Sequence, residues 1–229
     1  MLGRGKYFEL LDFPKFAHPS VVGMDAARTA SNLIDRLAGK SFMSYGMIWP
    51  RLEPIVAGYA TETFITSEFN KYEADWKNSN LQDVARLLKG FFGGRGRWYR
   101  HPLRPTKVLG FWFKPSIKGV WWVDGQAYAV LINARKGQSL LPDQVRFLAR
   151  GVHELHCIDD PNDPIPLIID ISAPDGEKRK LRTYVMPVEK AISLEEFDDA
   201  IRQFLKALEM AGVALPTDAI DVIDLFKKR

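Results

Sequence analysis

The chain has 229 residues, 46% hydrophobic and 26% charged, a composition that fills one large domain or a core with a helical extension and excludes wholesale disorder. Its apolar runs fall far short of the roughly 20 residues a bilayer-spanning helix needs, and its single Cys157 excludes an internal disulfide. The start, MLGRGKYFELLDFPKF, has acidic Glu9 and Asp12 and no continuous apolar stretch, so it does not read as a secretory signal; the expectation is a soluble, cytoplasmic globular protein.

Residues 1 to 23 read as an irregular lead-in punctuated by Pro14 and Pro19. From Asp25 to Ala38, Ala26, Ala30, Leu33, Ile34 and Leu37 recur at helical spacing, and Gly39 closes the pattern. Residues 42 to 79 are aromatic and mixed and suggest short helices. Asn80 to Asp83 opens a helix with Leu81, Val84, Leu87 and Leu88 on one face, which Gly90 and the Gly93-Gly94 pair terminate.

Beyond residue 106 the chain becomes β-rich. TKVLGFWF (106–113) and GVWWV (119–123) read as strands, and Asp124-Gly125 marks a hairpin turn leading into a returning strand from Ala127 to Asn133. Pro142 to Leu155 has the stripe Val145, Leu148, Ala149, Val152, Leu155 of a helix. IPLIIDIS (165–172) reads as a buried strand, with Arg179 to Met186 returning beside it through Asp175-Gly176. Ser193 and Glu196 form a capping box ahead of a helix running to Ala211, and Thr217 to Phe226 is a last short helix. This order predicts an α/β fold, with α+β as the alternative: a mixed central sheet flanked by helices, with N-terminal and C-terminal helical extensions. Residues 1–79 form the mostly helical extension and residues 80–229 the core with its C-terminal helices, packed as one compact unit.

The charge is uneven. Between Val84 and Val123 there are nine basic residues and no acidic one, whereas the rest of the chain, with 23 basic and 28 acidic residues, has a net charge of −5. An overall charge of +4 is therefore concentrated in one segment, which points to an anionic partner. Its densest part, GGRGRWYRHPLRPTK (93–107), interleaves glycine, arginine and aromatic residues. Arg95, Arg97, Arg100, Arg104 and Lys107 are candidates for holding phosphates, and Trp98 and Tyr99 for stacking on bases. Nucleic acid is the expected partner; an anionic protein surface and a plain solvated loop are the alternatives.

Other candidates follow from residue type. Asp170 interrupts an apolar strand, so it must be paired, hydrogen-bonded or functional. His153 and His156 are three apart, which is not the spacing of a helical zinc protease site, and Cys157 completes no second cluster, so no metal site is expected. DDPNDP (159–164) lacks the order of a calcium loop and reads as a turn.

The order helix, strand, strand, Asp-Gly hairpin, strand, helix, strand over about residues 80–172 resembles the core of the PD-(D/E)XK nuclease-like superfamily. The resemblance implies a site at the end of the strand through Asn133, where Asn133-Ala134-Arg135 stands in place of the acidic residue, spacer and lysine that hold metal and water. Lys118-Gly119 stands where the other acidic residue belongs, and Gln144 opens the next helix. An Asn carbonyl is a poor substitute for a carboxylate on a hard divalent cation, and an Arg repels one. The resemblance thus implies a catalytically degenerate nuclease-like core with a groove for nucleic acid lined by Arg135, Lys136 and Arg146. The alternative is an active endonuclease of variant motif, in which Asp170, Asn133 and Arg135 would be the catalytic group and Mg or Mn the cofactor; otherwise no cofactor is expected. A third reading is a subunit that binds protein or its own copy through the helix 194–211 and the aromatic cluster Phe111, Trp112, Phe113, Trp121 and Trp122.

Overall fold

The computed structural model describes residues 9–38, 45–100, 106–109, 111–114, 116–135, 137, 139–173 and 177–213. The expected turn at Asp175-Gly176, the close at Gly39 and the helix from Thr217 lie outside these residues.

Five strands form a mixed sheet in the order β1 (Arg97–Tyr99), β4 (Gly119–Val123), β5 (Gln126–Asn133), β6 (Ile165–Asp170), β7 (Arg182–Val185). Neighbouring pairs are antiparallel except β5 and β6, which run parallel and are joined through helix α6 (Pro142–His156). The parallel pair explains the unbroken apolar run of β5: Val130, Leu131 and Ile132 are all buried because helices cover both faces of this central strand. On one face Ala129, Leu131 and Ile168 pack with α1 (Asp12–Phe16), α2 (Ala26–Ala38), α6 and α7 (Leu194–Met210). On the other, Val130, Ile132, Leu167 and Ile169 pack with α3 (Leu52–Val56), α4 (Glu62–Glu68) and α5 (Asp75–Phe92). The fold is α/β with flanking helices, and helices from the first 79 residues contribute to both cores.

The helices at the chain's end and centre follow their sequence signals. Ser193 Oγ accepts the Glu196 N–H at 3.1 Å and Glu196 Oε2 accepts the Ser193 N–H at 2.8 Å. Phe197, Ile201, Phe204 and Leu208 then bury the whole stripe of α7 in the core, leaving large apolar side chains exposed only at its ends, Leu194 and Met210. Asp124 and Gly125 both take positive φ, 51° and 79°, as the two-residue turn between β4 and β5 requires.

Three expectations are corrected. α5 begins at Asp75, ahead of Asn80; its first turn is polar, but the buried Asn78 side chain holds the preceding loop, donating to Tyr72 O at 2.8 Å and accepting the Tyr72 N–H at 3.0 Å. Gly90 lies inside this helix, and Gly93, at φ 58°, ends it. Finally, TKVLGFWF is not one strand of the main sheet. Leu109 turns at φ 49°, so β2 (Thr106–Val108) and β3 (Phe111–Phe113) pair with each other as a separate two-stranded sheet. The place beside β4 is taken by β1, from the basic segment 93–107.

Candidate functional site

β1 is positioned by the two tryptophans of β4 and by missing Cβ atoms. Trp98 lies over Gly119, where a Cβ would fall 2.4 Å from its Cζ2. The indole also meets the edge of Phe92, with ring centroids 6.0 Å apart. Trp121 donates its Nε1–H to Arg95 O at 2.9 Å, and Gly96, at φ +74°, passes so close that a Cβ would fall 2.3 Å from Trp122 O. These two glycines therefore serve close packing of β1 and its lead-in against β4.

With Trp98 turned inward, alternation turns Arg97 and Tyr99 outward. The register sets Arg97 opposite Trp122 and Tyr99 opposite Val120, so these four share one face at the edge of the sheet. Tyr99 is 50% exposed and Trp122 36%. Together with Arg100 and, from the α6–β6 loop, Asp160 and Asn162, they line an open groove of about 770 Å³. Asp160 is set by its own turn, its Oδ1 accepting the Asn162 N–H at 2.9 Å and the Asn162 Nδ2–H at 2.8 Å.

The basic residues of the segment differ in how far they are engaged. The Arg97 side chain makes no hydrogen bond or ion pair among the described residues. Arg100 has only long contacts of 3.5 Å, to Glu53 and to Pro50 O, with both charged side chains well exposed. Arg95 reaches Phe91 O at 3.3 Å from an exposed position. Arg86 is bound to Glu62 and Asp83 and holds the Glu62 carboxyl below its usual range through their hydrogen bond. Lys107 is exposed on β2, and Lys118 places its ammonium 5.1 Å from the centre of the Trp49 ring. Arg104 and Lys136 lie outside the described residues.

The end of the parallel pair is arranged differently. Asn133 and Asp170 are in register on β5 and β6, and both are buried. Asp170 Oδ1 accepts from Asn133 Nδ2 at 3.0 Å and from the Ser172 N–H at 3.1 Å, while Oδ2 accepts the Leu140 N–H at 3.0 Å. The carboxylate thereby ties the two strand ends to the segment entering α6. Arg135, just past β5, donates to Leu11 O at 2.8 Å and pairs with Asp12 at 2.9 Å and Glu9 at 3.8 Å. Gln144 accepts the Leu141 N–H at 2.9 Å, and Arg146 donates to Lys190 O at 3.2 Å. From beyond β6, Arg179 donates to Ile171 O at 2.6 Å and Ala134 O at 3.0 Å and also holds Tyr45 and Asn80.

No family model matches the chain and no curated protein matches it. What the site can do rests on its own geometry.

His156 is buried and its Nε2 accepts the Ser116 N–H at 3.4 Å, while Cys157 is buried with its thiol pushed up to about 12 by loss of water. Among the described residues no three His, Cys, Asp or Glu side chains gather as ligands for a metal ion. Among the same residues no helix is long and apolar enough to cross a membrane. Of the groove's residues, the sequence marked Arg97, Tyr99 and Arg100 as nucleic-acid contacts, placed Trp122 in a candidate protein-binding cluster, and gave Asp160 and Asn162 only as part of a turn. Trp122 was legible in part, because in GVWWV one of two adjacent tryptophans must face away from the other.

Proposed function

We propose that this protein binds nucleic acid on the outer face of β1 and β4, and that its nuclease-like core serves as scaffold rather than hydrolytic centre. The observation that carries the reading is Arg97: an outward guanidinium with no partner among the described residues, directly opposite Trp122 and on the same face as Tyr99. A free planar donor beside aromatic faces is the combination that phosphate and base contacts need together. Arg100, on the same groove, is held only by weak exposed contacts that solvent already screens.

The succession of α5, antiparallel strands β1, β4 and β5, helix α6 and the parallel β6 supports the nuclease-like description of the core. The end of the parallel strands supports the scaffold role. Ligands of open α/β sheets usually lie at the carboxyl ends of such strands. Here both Asp170 oxygens are taken by protein donors, and Arg135 is held by Asp12 and Leu11 O.

Fluorescence anisotropy of a labelled oligonucleotide tests the reading. Affinity is expected to fall steeply between about 50 and 200 mM salt, and Arg97→Ala with Arg100→Ala to weaken binding and reduce the slope of log K against log salt by about one to two. Absence of binding at low salt, or binding indifferent to salt, overturns it.

A further inference from the structure

The four side chains on the outer face of β1 and β4 are unequal in height. Tyr99 and Trp122 are diagonal neighbours, and Val120, 9% exposed, lies opposite the tyrosine as a low apolar floor. Diagonal cross-strand positions stand about 7 to 8 Å apart, and somewhat less at Cβ. That interval is close to two of the about 3.4 Å steps between successive bases of a strand, so the spacing of the two positions matches one flat ring placed between tyrosine and indole above the valine. Arg97, opposite Trp122, adjoins this slot on the β1 side. The same groove is also lined by acceptors: Asp124, in the turn that follows β4, and Asp160 and Asn162 of the α6–β6 loop.

That charge pattern selects the form of nucleic acid. A duplex carries about one negative charge per 1.7 Å of axis, and its phosphates would be pressed against Asp124 and Asp160. An unpaired base instead offers exocyclic amino and ring N–H donors on its pairing edge, which carboxylate and amide oxygens accept. We propose that the groove takes a single-stranded segment, with one unpaired base held between Tyr99 and Trp122 over Val120 and the adjoining phosphate on Arg97. The proposal rests on the nucleic-acid reading and specifies its substrate class.

The test compares a labelled single strand of about 15 nucleotides, the blunt duplex of the same sequence, and the same single strand with abasic residues throughout, at low salt. The single strand is expected to bind well above the duplex. Tyr99→Ala and Trp122→Ala, both at exposed positions, are expected to weaken single-strand binding about ten- to hundred-fold, with Tyr99→Phe restoring it. On the abasic strand, already weakened, Tyr99→Ala is expected to change nothing further. Failure of all three probes to bind sinks the nucleic-acid reading itself. Salt-dependent binding with duplex equal to or tighter than single strand, or an equal loss in Tyr99→Ala on normal and abasic strands, leaves that reading standing and overturns the clamp. Unchanged circular dichroism of the variants excludes unfolding as the cause of any loss.

Discussion

Asn133 donates its Nδ2–H to Asp170 Oδ1 at 3.0 Å, linking the last residues of two parallel strands that face each other in register. With the Ser172 and Leu140 N–H groups on the same carboxylate, this is a buried acceptor with its donors supplied by the protein. Asp170→Ala would orphan all three, at a cost of about 3 kcal/mol of stability. Denaturant unfolding should show that loss, and a double-mutant cycle with Asn133→Ala should show coupling, because the two share one bond. Nucleic-acid affinity measured on folded Asp170→Ala should match the parent. An unchanged midpoint would contradict the structural role; loss of a metal-dependent cleavage activity with stability intact would revive a catalytic one.

Arg135 makes a related point about a residue whose position suggested a ligand contact. Its guanidinium is engaged by Asp12 and Leu11 O, both partly or wholly shielded from water. Arg135→Ala should therefore cost about 1 to 2 kcal/mol of stability, while salt-dependent oligonucleotide binding changes less than that of Arg97→Ala. An anisotropy titration with the losses in reverse order would show that Arg135 leaves Asp12 to meet a phosphate.

These two residues show where sequence patterning was informative. Periodicity and turn chemistry identified α2, α6, α7, the Asp124-Gly125 hairpin and the buried strand through Asp170, because each is a local consequence of its own residues. The location of β1 was not local. Arg97-Trp98-Tyr99 has no strand length, and it becomes a strand only because Trp98 finds Gly119 and Arg95 O finds the Trp121 indole. For the same reason polar type alone said little about site membership. Arg97 and Arg135 look alike in sequence, yet one faces solvent on an edge strand and the other meets Asp12, more than 100 positions away.

Gly119 is the support of β1, and replacing it is a test of the site at a distance from any ligand. A Cβ there would fall 2.4 Å from Trp98 Cζ2 and 2.6 Å from Tyr99 O, so Gly119→Ala must displace the indole or the strand. A cost of about 1 to 3 kcal/mol is expected for such overpacking, read by thermal denaturation. Hydrogen exchange should accelerate at residues 97 to 99, and oligonucleotide binding should weaken although no binding group is altered. Retention of both slow exchange and full affinity would mean that β1 is held by something other than this contact.

Lys118 gives a pH-dependent prediction. Loss of water around its ammonium holds its pKa below the ordinary lysine value, with the Glu9 carboxylate opposing and Arg135 adding to the depression. Between that folded-state value and the ordinary one, the unfolded chain binds more protons than the folded protein, so stability should rise with pH through this window and level off above it. Cys157 acts in the opposite direction. Its thiol, buried and near Asp160, Asp163 and Glu154, titrates at about 12 in the fold against 9.0 when free, so above pH 9.0 the unfolded state sheds a proton the fold retains and stability falls. Lys118 must therefore be measured in a Cys157→Ala background. There, Lys118→Met should remove the rise and increase stability near neutral pH, since it deletes a desolvated charge while keeping the stem beside Trp49. A variant less stable at neutral pH, with the upward slope intact, would mean that the ammonium makes a favourable contact that outweighs its desolvation.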